Sequence, residues 1–271
     1  MIGENTMNKL KLVSLLLCLV LMICTLASCA QTPSEITCED DLISKKIGVI
    51  RGSKSDEYSR KFTENGCEII GFKSRLDMVK AFDAGEIDCA IMDENHAKEV
   101  VRENTNLKVL ESVSEQKDSF GFYMLEAKRV YTIMLNKALA ELKENGKLDE
   151  IVNGYLNDPE YEYDFPESFD TSNGFFKISL DPSLYPYVYA ADEDHVMPYG
   201  IAIAVIDAVC EHLGCGYELV PVTSNSLNST LHLGNADFAV GSFTPVHSAS
   251  GAKVVESDPI LTYSHAIVVK K

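Results

Sequence analysis

The chain has no tryptophan, and its 24 lysines and arginines are outnumbered by 41 aspartates and glutamates. A net charge of −17 leaves little from which to build a basic surface. That argues against a nucleic-acid partner, because phosphate binding draws on clustered cations. It also argues against attachment to anionic lipid through charge. No apolar run reaches the roughly 20 residues of a membrane-spanning helix. The eight cysteines include no Cys-x-x-Cys pair, so neither a zinc ribbon nor a dithiol redox motif is expected. What is present is an ordinary globular composition, 46% hydrophobic and 24% charged over 271 residues. That supports one large domain or two modest ones.

The first 30 residues differ from the rest. Lys9 and Lys11 precede the apolar stretch 12–26, which has the make-up of a signal-peptide core and is short for a bilayer span. Met7 offers a second start that omits acidic Glu4. The stretch ends in Leu26-Ala27-Ser28-Cys29, which resembles the bacterial lipobox. The resemblance implies cleavage before Cys29 and lipid on that cysteine. Residues 1–28 are thus expected to be a lipoprotein signal peptide and 29–43 a linker. An ordinary signal peptide with a chance cysteine is the alternative. Several acyl chains anchor firmly, each buried CH₂ contributing about 0.8 kcal/mol, whereas one chain is marginal. Among the other cysteines, Cys67, Cys89 and Cys210 sit in apolar runs and read as buried free thiols. A Cys210–Cys215 disulfide stays open.

Strands and helices alternate along the mature sequence. Residues 46–50, 67–72 and 88–92 read as strands. Segment 74–82 sets Leu76, Val79 and Phe82 at helical spacing behind a Ser74 cap, with Gly85 past its end. Residues 130–142 form an amphipathic helix stopped near Gly146. Segment 157–174 is acidic and aromatic without a period, which predicts a connector lying over the surface. The alternation then restarts, with strands at 175–180, 217–222, 237–240 and 265–269 and a helix at 199–213. This predicts an α/β fold with helices on both faces of the sheet. Two segments echo each other: Gly85-x-x-Asp88 and Gly234-x-x-Asp237 each follow a helix and open a strand. Glycine suits the left-handed cap and aspartate the strand start. The echo predicts two similar α/β lobes.

These residues resemble the type II periplasmic solute-binding proteins of ABC importers, in the polar-amino-acid group. Lys46 to Gly52, Gly85-x-x-Asp88 through Asp93, and 120–156 resemble that family's second lobe and its return to the first. Tyr185-Pro186, Gly200, Leu213-Gly214, Gly234-x-x-Asp237, Thr244-Pro245 and Ser257-Asp258-Pro259 resemble its first lobe. The resemblance implies a two-lobed periplasmic-binding-protein-like fold, with residues 44–117 as the lobe resembling the family's second and 118–271 as the lobe resembling its first, and an interlobe cleft for an amino acid or similar small polar solute. It implies delivery to ABC importer membrane subunits, with no cofactor, metal or enzymatic step. In the family the first-lobe block precedes the second; here it follows, which resembles a circular permutation. Permutation is tolerated where native termini lie close and new ones are exposed. One crossing between lobes, near 111–119, would then stay covalent and the other would be interrupted. A domain-swapped dimer or a longer tandem protein are alternatives.

Amino-acid capture needs an acceptor for ammonium and donors for carboxylate in a cleft that closes. The family resemblance puts Asp93 at the ammonium, while the residues alone equally make it the N-cap of helix 94–101. Gly52-Ser53-Lys54-Ser55 opens a helix, where free N–H groups favour an anion; a plain turn capped by Ser53 is the other reading. The family's arginine slot after Thr244-Pro245 holds His247, which cannot form arginine's fork and reads equally as a loop bystander. Ser242 and Thr244 are further donors, and Arg51 is a candidate for the missing charge or a surface residue. Tyr185 and Tyr187 are expected to wall the pocket or to cover a sheet face. Glu94, His96 and His247 are the sole hints of acid–base chemistry, for a dehydratase-like enzyme on this scaffold. A sensor or adapter with a silent cleft is a third possibility.

Overall fold

In the computed structural model, the described residues are 35–110, 114–166, 168, 171–189, 198–245 and 252–271. Cys29, the leader and His247 therefore lie outside them. The chain divides into Met1–Thr37 and a larger unit, Cys38–Lys271, which carries the fold. Its first half runs β1 (Lys46–Ile50), α1 (Lys54–Ser59), β2 (Glu68–Phe72), α2 (Arg75–Ala84), β3 (Cys89–Asp93), α3 (Glu94–Glu103), β4 (Leu107–Val109) and β5 (Lys117–Leu125). Helices α4 (Arg129–Glu144) and α5 (Lys147–Asn157) follow. The second half runs β6 (Phe175–Leu180), α6 (Ile201–Leu213), β7 (Gly216–Pro221), α7 (Leu227–His232), β8 (Phe238–Gly241), β9 (Val254–Glu256) and β10 (Leu261–Lys270). The expected α/β architecture is present, as a mixed sheet in the order β2-β1-β3-β10-β5-β8-β6-β7 with β4 beside β10 and β9 beside β5.

One plan occurs twice. β1 lies parallel between β2 and β3, and β6 lies parallel between β7 and β8. Each half ends in a long strand, β5 or β10. These two pair antiparallel through their first residues, from Phe120 opposite Leu261 to Lys117 opposite Ser264. Each then enters the other half's sheet: β5 runs on beside β8 and β9, and β10 beside β3 and β4. The halves thus exchange their last strands. Two expectations change. The crossing expected to be interrupted is a continuous strand, β10. Its residues from His265 onward pair with β3 and β4, outside the expected lobe 118–271.

The two Gly-x-x-Asp turns explain the echo. Gly85 and Gly234 both have φ of 71°, the left-handed conformation that glycine adopts without a Cβ penalty. Asp88 then clasps the start of β1: its N–H donates to the Lys46 carbonyl and its Oδ2 accepts from Lys46 N at 2.7 Å. Asp237 clasps β6 in the same way through Lys177, with Oδ2 accepting at 3.0 Å. Aspartate both opens its own strand and satisfies an N–H of the parallel neighbour, the first of β1 and the third of β6.

Each half has its own main core. In the first half Met78, Phe82, Ile87 and Met92 pack with Ala266 and Val268 of β10. In the second, Phe120, Phe122 and Met124 of β5 pack against α6. Every residue from Ile201 to Cys210 in α6 is buried, which fits a stretch apolar all round except for Asp207; each buried Ile or Val contributes about 1.5–3 kcal/mol. The connector 157–174 is not wholly superficial, because Tyr163 is buried and donates to Asp207 Oδ2 at 2.9 Å. Cys67, Cys89, Cys210 and Cys215 are buried free thiols. Among the described residues no helix is long and apolar enough to cross a membrane, and no cluster of His, Cys, Asp and Glu could hold a metal.

Candidate functional site

All six parallel strands direct their C-terminal ends at one cavity between the halves. Ile50 ends β1, Lys73 follows β2 and Asp93 ends β3; Asp181, Ser224 and Ser242 stand beyond β6, β7 and β8. The crevice outside the carboxyl ends of parallel strands is where open α/β sheets hold ligands. Here two such crevices face each other. Phe120 and Tyr263 of the crossing strands also line the cavity.

Asp93 is at its centre, and both readings of it meet in one side chain. Its Oδ1 accepts from the backbone N–H groups of Asn95 (3.1 Å) and His96 (3.0 Å), capping α3. The same oxygen accepts from the Tyr187 hydroxyl at 2.7 Å. His96 Nδ1 donates to Oδ2. Burial alone would raise the pKa of Asp93, but the positive charge of His96 and these hydrogen bonds outweigh it and hold the carboxyl below its ordinary range. Tyr187 is pushed the other way, by burial and then by the Asp93 charge, so it stays a protonated donor. Its hydroxyl also accepts from Asn95 Nδ2 at 3.1 Å, and its ring packs on Phe120 with centroids 4.5 Å apart. Tyr187 belongs to the second half and Asp93 to the first, so this bond latches the halves together.

Asp181 is the second buried carboxylate. Oδ1 accepts from Ser183 N (2.9 Å) and Oγ (2.6 Å); Oδ2 accepts from Ser224 N (2.7 Å) and Oγ (2.6 Å). The Asp-Pro-Ser sequence directly after a strand is an aspartate-turn signal that the sequence reading passed over.

Of the expected site residues, Ser53, Asp93, Tyr187 and Ser242 line the cavity. Ser53 caps α1, accepting from Asp56 N at 3.2 Å, and Ser242 Oγ bonds the Tyr263 hydroxyl. Arg51, Gly52, Thr244 and Tyr185 do not line it. Arg51 lies back over β2, its Nη2 donating to the Gly71 carbonyl at 3.0 Å, where the absence of a Cβ leaves it room. Gly52 and Thr244 instead join the halves beside the cavity: Thr244 N donates to Gly52 O at 3.2 Å, and its Oγ1 donates to Glu57 at 2.8 Å. Tyr185 packs outside, edge-on to Tyr189, with its hydroxyl accepting from Arg102. Lys73 and Arg75, which the sequence reading passed over, do line the cavity. They flank Ser74, whose capping role masked them. Glu94, one hint of acid–base chemistry, is held by Ser264 N at 3.2 Å and Lys98.

Beneath the site the crossing strands are tied by His265, which is 1% exposed. Its Nε2 meets Asp118 Oδ2 at 2.7 Å, its Nδ1 meets Ser55 Oγ at 3.0 Å, and its ring stacks on Tyr58. The hydrogen bond from His265 is the largest effect holding the Asp118 carboxyl below its usual range. This network links α1, β5 and β10, the three elements that meet at the crossing.

Residues 176–271 match the family model of the bacterial extracellular solute-binding proteins, family 3. A curated relative, the lysine/arginine/ornithine-binding periplasmic protein of Escherichia coli (strain K12), is 26% identical over 126 residues, 44% of this chain and 48% of that one. The match thus spans about half the length of that relative. Among solved structures, the ligand-binding component of an ABC-type import system from Staphylococcus aureus with zinc bound overlaps 83% of this chain and 65% of its own, at 12% identity and a TM-score of 0.44. The methionine-binding protein MetQ overlaps 84% of this chain and 83% of its own, at 12% identity and a TM-score of 0.38. The resemblance to solute-binding proteins read from the sequence is borne out by the family match.

Proposed function

We propose that this chain is an extracytoplasmic receptor that captures a small polar solute between its halves and presents it to an ABC importer. One observation carries the reading: six parallel strands from two like-built halves aim their C-terminal ends at one cavity, in a chain whose second half matches the solute-binding family. The halves act as lobes, closing through Tyr187–Asp93 on one face and Thr244–Gly52 on another. Lipid on Cys29 tethers the receptor to the outer face of the membrane. The lobes stand in exchanged order relative to the family, and the doubled strand plan supports this. When both halves have the same build and complete each other's sheets, reversing their order keeps every pairing. Ser53, Asp93, Tyr187 and Ser242 form the wall around the solute. Catalysis forms no part of this reading, since the acid–base candidates Glu94 and His96 are already held by Ser264 and Asp93.

A second reading, a sensor or adapter with a silent cleft, rests on the Tyr187 hydroxyl filling an Asp93 oxygen where a solute would bind. A thermal-shift screen of the full chain against amino acids, small peptides and organic acids separates the two. A ligand at about 100 times its dissociation constant adds about 2.7 kcal/mol of stability, which a rise in melting temperature reports. A flat response across the panel overturns the receptor and favours the sensor.

A further inference from the structure

The cavity brings together two carboxylates and two full cations, and they differ in how far they are already partnered. Asp93 accepts four hydrogen bonds, three on Oδ1 and one on Oδ2. Asp181 also accepts four, two on each oxygen. A carboxylate offers about four lone-pair sites, two on each oxygen, so Asp181 is filled and Asp93 keeps a single position, on Oδ2 beside the bond from His96. The donors are in the opposite state. Arg75 pairs through Nη2 with Glu103 at 3.3 Å, but its Nη1 is buried without a hydrogen-bond partner among the described residues. The guanidinium also lies over the face of the Tyr185 ring, 5.3 Å from its centroid. Lys73 makes no ion pair with the described residues, and both side chains line the cavity.

Arg75 is also badly placed for stability. It is the first residue of α2, directly after the Ser74 cap, where the helix dipole disfavours a cation. Its unpartnered buried N–H adds a second unfavourable effect. The Glu103 pair leaves Nη1 unmet, so a cation set against the dipole and an unpaired N–H stand together at the cavity wall, which points to a functional demand. The demand here is for an anion.

We infer that the solute is a small carboxylic acid without an α-ammonium group, bound by Arg75 and Lys73. This rests on the receptor reading and narrows it. The cation that sequence reasoning sought in Arg51 or His247 comes instead from the turn between β2 and α2. Arginine's fork suits a carboxylate held by two parallel hydrogen bonds.

The test uses matched acids that differ only in the amino group: succinate against L-aspartate, and glutarate against L-glutamate. Binding to the full chain is followed by melting temperature and titration calorimetry. Succinate or glutarate should raise the melting temperature and bind at least about tenfold more tightly than the amino-acid partner. Arg75→Gln should weaken that binding by about tenfold or more, and Lys73→Gln by less. Lys73 is exposed, so its variant keeps the fold and stands as the check should Arg75→Gln melt early. If the amino acids bind and their desamino partners do not, or if both variants bind succinate as the wild type does, the inference fails and the receptor stands. If no acid, amino acid or peptide binds at all, the receptor reading fails as well.

Discussion

Tyr187→Phe tests the latch at the centre of the site, because it deletes one oxygen and leaves the ring packed on Phe120. The lost hydroxyl donates to an ionised acceptor at 2.7 Å and accepts from Asn95 at 3.1 Å. Hydrogen bonds to charged groups contribute about 1.5–3 kcal/mol each. Asp93 keeps its other three donors, so no charge is stranded and the loss falls at the lower end, about 1.5–2 kcal/mol. For a chain of this size that lowers the melting temperature by roughly 3–8 °C. There is also a pH signature. Asp93 titrates below its ordinary value, so its contribution is fully present above the unfolded-state pKa and is lost as pH falls through the folded-state pKa. Removing a donor raises the folded-state value, so the acid side of the stability curve should move to higher pH. Urea unfolding at several pH values, with the slope unchanged between proteins, reads both effects. Tyr185→Phe is the control, since that tyrosine lies outside the cavity. A Tyr187→Phe midpoint within about 0.5 kcal/mol of wild type, or an equal loss in the control, would refute the latch.

Asp207 gives an effect of opposite sign. Burial pushes its pKa up to about 6, and one of its oxygens has no hydrogen-bond partner among the described residues. Its contribution is therefore complete below the unfolded-state pKa and lost as pH rises through about 6; Asp207→Asn should match or exceed wild type at pH 8 and flatten the slope between pH 4 and 6 in melting scans. Asp93→Ala removes the acceptor for four donors and the cap of α3, and should cost about 3–5 kcal/mol by urea unfolding, with Asp93→Asn costing less. Gly154→Ala in α5 would gain about 0.5–1 kcal/mol from helix propensity alone. A Cβ there would lie 2.5 Å from the Tyr161 ring, so the variant should instead lose about 1–3 kcal/mol, and a rise in its melting temperature would contradict the packing.

Local chemistry was legible in the sequence, and partner choice was not. The caps at Ser74 and Asp93 and the turns at Gly85 and Gly234 follow from residue type and spacing within a few positions, and each is found where expected. The strand at 265–269 was also expected, but the sheet it would join was not. An apolar run is suited to either sheet, and the choice depends on contacts far apart in sequence. The same limit applies to the site. Ser53 and Ser242 sit at strand ends that periodicity locates, so they fall in the cavity. Arg51 also follows a strand, yet its direction is set by Gly71, twenty positions on, whose missing side chain opens a berth over β2. Arg75 was overlooked because a residue beside a cap reads as helix.

The exchange of final strands bears on how the protein comes apart. Were one half to melt, it would withdraw a central strand from the other, exposing the edges of β3 and β4 or of β8 and β9. Neither half is then a foldon that survives alone, despite its own core. Heat or denaturant should meet a single cooperative transition, and the motion left to the native state is torsion about the short ribbon where Lys117–Phe120 meets Leu261–Ser264.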